Sequence, residues 1–300
     1  MPELDQVLDA IECLAGRHRT VTALPGGLTN TNLRVRTDEV DVVVRISPPS
    51  TGRLAVDREC EYLNSLAAAA AGVGAPVVDY LPGRGVLVVE FIPEAATFDE
   101  EGVARHTDRI AAALRRLHAG PSFANRFDIF DIGRRYLAIM EEPGFHLPDR
   151  YVDVLPTAGR MEAALRERPE SLVPCHNDLL AANFLDDGNR IWIIDYEYSG
   201  NNEPGFELGN IAQESHLGDD DLAALVHAYY GQDAPGLVAR ARLWAVASAF
   251  VWTLWGTIQE RIAPVDHDFR AWGLEKFARA EEAMADRDFG LLLDTVAGAR

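Results

Sequence analysis

Cysteine is scarce in this chain: three residues in 300, Cys13, Cys60 and Cys175, widely spaced and without a CxxC pair. Neither a disulfide framework nor a zinc cluster is expected, which fits a reducing compartment. Positive charge is also short, with 28 Lys and Arg against 47 Asp and Glu and a net charge of −19. A field of that sign repels phosphate-rich polymers, so no nucleic-acid partner is expected, and a small cation is mildly attracted. The opening residues, MPELDQ, are acidic and lack the basic start and apolar stretch of a secretory leader, so a cytoplasmic location is expected. Long apolar runs are missing, with one exception. Residues 243–259 carry no charge, yet they include Ser248, Thr253, Gly256, Thr257 and Gln259 and run into Glu260 and Arg261. A buried helix is the expectation there, with no membrane insertion. What is present is ordinary for a globular protein: 48% hydrophobic and 25% charged residues, in a length that suits one large or two small domains.

The hydrophobic period changes along the chain. Leu4, Val7, Leu8, Ile11 and Leu14 sit at helical spacing, whereas segments 20–24, 33–36 and 40–46 are β-rich and separated by turn residues. A helix is predicted over 54–71 and strands around 77–80 and 86–91. Beyond Pro93 helices dominate, at 100–119, 151–168, 219–230, 236–261 and 269–284. A hairpin interrupts them, Phe184-Leu185 and residues 191–194, turned by Asp186-Asp187-Gly188-Asn189. The expected layout is α+β and bilobal: a small antiparallel-sheet lobe over residues 1–93 and a larger, mainly helical lobe over 94–300. Ligand sites favour such junctions.

Chemistry concentrates in Cys175-His176-Asn177-Asp178-Leu179-Leu180-Ala181-Ala182-Asn183 and, after the hairpin, Ile193-Ile194-Asp195-Tyr196-Glu197-Tyr198. Phosphoryl transfer from ATP needs a carboxylate to orient and deprotonate the attacking hydroxyl, and oxygen ligands to hold Mg²⁺ against the phosphates. His-x-Asp-x₄-Asn followed by a hairpin ending in Asp supplies these groups in order. Asp178 is the candidate base, Asn183 and Asp195 are the candidate metal ligands, and ATP and Mg²⁺ are the expected cofactors. His176 is expected to brace the loop by a hydrogen bond.

These motifs resemble those of the aminoglycoside phosphotransferase/choline kinase superfamily. The continuation Gly205-Phe206-Glu207-Leu208-Gly209-Asn210, with Glu214 beyond, is similar to its choline/ethanolamine kinase branch, as is Leu24-Pro25-Gly26-Gly27-Leu28-Thr29-Asn30 upstream. The resemblance runs from about Leu24 to Trp272 and implies a protein-kinase-like fold. Glu207 stands where the branch usually has aspartate, and Leu180 where a polar residue is common.

At the nucleotide end, Gly26 and Gly27 let backbone approach phosphates, and Thr29 and Asn30 offer side-chain donors. The resemblance places Arg45 where protein kinases have a phosphate-pairing lysine, and prefers Glu61 over Glu59 as its partner. It also implies that Glu90 and Ile92 offer main-chain groups to adenine. At the acceptor end, Trp244, Ser248, Trp252 and Trp255 form one helical stripe, which is core by default. The resemblance instead assigns Trp252, Trp255 and Trp272 to a cage for a cationic alcohol, balanced by Glu214. Trp244 has no such counterpart. The expected activity is phosphorylation of choline or ethanolamine. The alternatives are a kinase for an aminoglycoside or sugar, served by Asp219, Asp220 and Asp221, and a silent nucleotide-binding module. The oligomeric state is left open, a dimer included.

Overall fold

The computed structural model describes residues 2–25, 27–263 and 265–298. The chain opens with α1 (Pro2–Asp9), then β1 (Thr20–Ala23), β2 (Thr31–Arg36) and β3 (Asp41–Ile46). The helix ends earlier than its spacing predicts, but Ile11 and Leu14 are still buried with Leu8, carried by turns rather than by helix. A 3₁₀ segment, Pro49–Leu54, precedes α2 (Arg58–Ala70), so the helix predicted from residue 54 begins four residues later. Asp57 sets that start, its carboxylate accepting from the N–H groups of Glu59 and Cys60. β4 (Val77–Leu81) and β5 (Val86–Glu90) complete an antiparallel sheet in the order β1-β2-β3-β5-β4.

The two-residue period of a strand gives this sheet two apolar faces. Leu33, Val35, Val42, Val44, Val86 and Val88 pack with Leu8, Ile11 and Leu14 on one side. Val43, Arg45, Leu87 and Val89 face the other way, over a cavity. Burial on both faces explains why Val42-Val43-Val44 reads as a continuous apolar run.

The chain then forms β6 (Ala96–Thr97), α3 (Glu100–Arg105), α4 (Thr107–His118), α5 (Ile129–Met140) and α6 (Leu155–Glu167). The helix predicted over 100–119 is thus two helices that meet at His106. β7 (Val173–Cys175) leads into the His-Asn-Asp loop. β8 (Phe184–Asp186) and β9 (Ile191–Ile193) are the predicted hairpin, and β10 (Gly200–Asn202) returns to pair with β7. Five helices close the chain: α7 (Pro204–Glu214), α8 (Asp219–Tyr230), α9 (Pro235–Ile262), α10 (Phe269–Ala285) and α11 (Phe289–Ala297).

By length and composition α9 could cross a membrane, but 72% of its apolar window is buried among the surrounding helices. It is the central core helix. Leu243, Trp244, Phe250, Val251, Trp252, Leu254 and Trp255 all belong to one cluster with α5, α6, α10 and α11.

Three helices escape the periodicity reading. α7 is buried at every position and carries Glu207, Asn210, Gln213 and Glu214 inside, so it shows no apolar stripe. α5 carries a glycine and two arginines in its middle turn, and α11 is short and nearly all apolar. α7 lies close against α9. A Cβ on Gly209 would come within 2.3 Å of the Ala241 carbonyl oxygen and 2.7 Å of the Ala245 nitrogen. Gly209→Ala is therefore expected to cost about 1–3 kcal/mol through overpacking, read as a lowered midpoint in thermal and denaturant melts. An unchanged midpoint would show that the two helices can separate at little cost.

Candidate active site

The His-Asn-Asp loop is held mainly through its own backbone. Glu207 is fully buried, and its two carboxylate oxygens accept from the N–H groups of His176 and Asn177, each at 2.8 Å. Asn210, one turn along α7, accepts from the N–H of Leu179 at 2.7 Å and donates to Ser248 of α9 at 3.1 Å. Asn177 adopts φ +69°, a left-handed conformation that asparagine tolerates better than most residues. Its amide group donates to the carbonyls of Cys175, Tyr198 and Gly200 and accepts from Asn202.

His176 accepts at Nδ1 from the Asp178 N–H (3.3 Å), so Nε2 carries the proton and donates to the Ile194 carbonyl at 2.8 Å. Burial holds this imidazole below its ordinary value, which keeps it neutral. Its role is bracing.

Asp178 is left with a free, half-buried carboxylate. Burial holds it well above the ordinary carboxylate range, and the nearby Glu214, Asp195 and Glu197 push the same way against Lys276. Asn183 donates its amide N–H to the Asp178 carbonyl at 2.8 Å, which leaves its amide oxygen as an acceptor. The Ile194 N–H donates to the Asn183 carbonyl at 3.0 Å, so Asn183 is tied to the backbone beside Asp195. Asp195 itself sits at φ +73°. The three predicted residues thus converge.

Arg45 meets three carboxylates. Its guanidinium lies 3.2 Å from Glu61, 2.5 Å from Asp195 and 3.0 Å from Glu197. Burial works against its charge, but those carboxylates prevail and raise its pKa. Arg58 adds contacts to Glu61 (2.5 Å) and Glu197 (3.2 Å). Two guanidiniums against three carboxylates leave one negative charge in excess, and Asp195, whose Oδ1 lies against Arg45, is the carboxylate that stays partly exposed, its side chain at 24%. A hard divalent cation at Asn183 and Asp195 fits both facts. Glu197 stood in the sequence motif with no role assigned, and only the fold shows it to be the hub. Arg58 was likewise invisible.

The cavity beneath the sheet measures about 550 Å³ and is lined by Val43, Arg45, Leu87, Val89, Glu90, Ile92, Ile193 and Asp195, among others. Apolar walls with charge at one end suit a base and its phosphates. The Glu90 N–H is spent on the Pro76 carbonyl at 2.8 Å, which leaves only its carbonyl for a ligand. Gly27 has φ +93°, which glycine adopts without strain. Gly26 lies outside the described residues. Thr29 and Asn30, expected to offer donors to phosphates, are both buried. The Asn30 amide donates to Glu197 at 3.0 Å and accepts from Arg58 at 3.3 Å, which fastens the loop to the charge network.

A second cleft of about 580 Å³ borders the His-Asn-Asp loop at Leu180, Ala181 and Ala182. Glu214, Trp272 and Lys276 line it together with Asp99, Glu100, Glu101 and Glu275. Trp255 donates its indole N–H to the Tyr198 hydroxyl at 2.8 Å, and its ring lies 5.2 Å from that of Trp272. Trp252 is 2% exposed and packs edge-on with Tyr198. Of the three tryptophans, only Trp272 borders the cleft. Asp219, Asp220 and Asp221 form the first turn of α8, where Asp219 pairs with Arg242 at 2.7 Å.

A loop that presents one free aspartate, an Asn/Asp pair beside a nucleotide-sized cavity and a second cleft across the loop define a kinase-like phosphotransferase. The sequence profile of the phosphotransferase enzyme family matches residues 20–244. A solved choline/ethanolamine kinase family protein from Mesorhizobium loti is 35% identical, covers 99% of both chains and superposes with a TM-score of 0.86. Protein LicA of Haemophilus influenzae is 29% identical over 78% of this chain and 72% of its own length. A probable ethanolamine kinase of Arabidopsis thaliana is 26% identical over 83% and 75% respectively. The chain belongs to the phosphotransferase enzyme family and, within it, to the choline/ethanolamine kinases.

Glu207→Gln tests the backbone grip on the loop. Glutamine turns an NH₂ toward one of two buried N–H donors, and an unmade bond of that kind costs about 1–3 kcal/mol. We expect a lower melting midpoint and a kcat reduced at least tenfold, with nucleotide affinity changed far less. Equal losses in both would place Glu207 in nucleotide binding instead.

Proposed function

We propose that this enzyme transfers the γ-phosphoryl group of ATP to the hydroxyl of a small amino-alcohol, of the choline or ethanolamine type. The observation that carries the proposal is the convergence of Asp178, Asn183 and Asp195 between the two cavities. Residues 1–93 and 94–300 would form the two lobes around this junction.

The nucleotide would lie under the sheet, with its base toward Glu90 and Ile92 and its phosphates toward Arg45 and Asp195. Arg45 is fixed by Glu61 and Glu197, so its fork is oriented before ligand arrives. Mg²⁺ held by Asn183 and Asp195 would supply the positive charge that shields the phosphate oxygens. Asp178 then has one task. Its carboxylate orients the acceptor hydroxyl and takes its proton as the oxygen bonds to phosphorus. A raised pKa suits that proton acceptance, and approach of a cationic acceptor stabilises the ionised form. The acidic cleft beyond the loop attracts such an acceptor, whereas Asp219, Asp220 and Asp221 lie at a helix start and are accounted for by its dipole.

The test is release of ADP with Mg²⁺-ATP against choline, ethanolamine, aminoglycosides and simple sugars. We expect turnover with amino-alcohols, lost by at least a thousandfold in Asp178→Ala while that variant still binds nucleotide. Turnover confined to aminoglycosides or sugars would refute the acceptor class. Loss of nucleotide binding in Asp178→Ala would refute the role given to the carboxylate.

A further inference from the structure

Lys276 holds the place where a substrate ammonium is expected. Its side chain is buried, with Nζ 2.7 Å from a Glu214 oxygen, 3.4 Å from the Gln213 amide oxygen and 4.1 Å from the centre of the Trp272 ring. A carboxylate, a neutral acceptor and an aromatic face together make a complete site for a primary ammonium, and the chain's own lysine fills it. Glu214 and Trp272 are the residues that family resemblance assigns to the acceptor's cation.

We infer that Lys276 is a specificity-determining residue that makes the enzyme prefer a primary-amine alcohol over a quaternary one. This rests on the amino-alcohol reading given above. A quaternary ammonium has no N–H donor and depends on aromatic faces. Trp252 and Trp255 are 2% and 5% exposed, and the ring that borders the cleft is covered by Lys276. His216 and Arg279 also line the cleft, but carboxylates outnumber the cations there, and Asp99, Glu100, Glu101 and Glu275 offer oxygen acceptors to a ligand. A primary ammonium donates three hydrogen bonds to such acceptors, and a trimethylated one donates none. A site that hydrogen-bonds its substrate discriminates against the analogue without donors. To reach the Trp272 face, a quaternary cation must displace Lys276 from both the ring and Glu214, or sit beside a like charge.

The experiment measures kcat/KM for ethanolamine and choline in the whole enzyme and in Lys276→Met, Lys276→Gln and Lys276→Arg. Met leaves Glu214 buried without a partner, so Gln, which can still donate to it, guards against simple misfolding; melts confirm that each variant folds. Vacating one cation–π contact corresponds to about a tenfold change. We expect the wild type to favour ethanolamine by tenfold or more. In Met and Gln the KM for choline should fall about tenfold while kcat stays within a few-fold, and Arg should retain the wild-type ranking. Wild-type preference for choline, or a selectivity ratio unmoved in both folded variants, would overturn the role of Lys276 and leave the amino-alcohol reading standing. No turnover with either alcohol would overturn that reading and this inference with it.

Discussion

Two hydrogen bonds from consecutive backbone N–H groups to the fully buried Glu207 decide where the His-Asn-Asp loop can sit. A carboxylate out of water needs donors close by, and those N–H groups need an acceptor, so neither partner can leave without stranding the other. Asn210 repeats the device one turn along for Leu179. The loop's shape is therefore dictated by α7, and α7 is pressed onto α9 at Gly209, where a single methyl group has no room. Aim of the Asp178 carboxylate descends from helix packing. The family's usual aspartate at position 207 is one methylene shorter, and here the glutamate still satisfies both donors.

A second constraint joins the sheet to the loop. Arg45 points to the cavity face of β3 because it alternates with Val44, and from there it meets Glu61 on α2 and Asp195 and Glu197 after β9. Arg58 and Asn30 complete the set. Ion pairs taken out of water stabilise little in net terms, since desolvation offsets most of the attraction. Their value here is positional: one guanidinium senses the sheet, the α2 helix and Asp195 at once.

The acceptor side follows different physics. Trp252 and Trp255 are consumed by the core around α9, and the ammonium of Lys276 sits on Trp272. A lysine buried this deeply has its pKa lowered by desolvation, opposed by Glu214. The cleft is thus lined by its own buried cation and by exposed carboxylates, with His216 and Arg279 beside them, a mixture that composition alone would never disclose.

Much of the molecule was legible from residue order. The two-residue alternation in β2, β3 and β5, the hairpin at 184–193 and the charge-free stretch at 243–259 are local patterns, and local sterics and burial make such patterns readable. Asp178, Asn183 and Asp195 were legible for the same reason, since a loop–hairpin–Asp spacing constrains the groups it brings together. The fold decided the rest. α7 had no period to read because every side of it is buried. The bond from Asn30 to Glu197, 167 residues away, has no trace in the local sequence. Glu197, Arg58 and Lys276 drew no attention as single charged residues, because a charge acquires a role only from the partners that distant segments bring within a few ångströms. Sequence by itself determined which chemistry is available and on which elements it rides. Tertiary structure decided which groups are already paired, because hydrogen-bonding and charge compensation are settled by distance in space and not by separation along the chain.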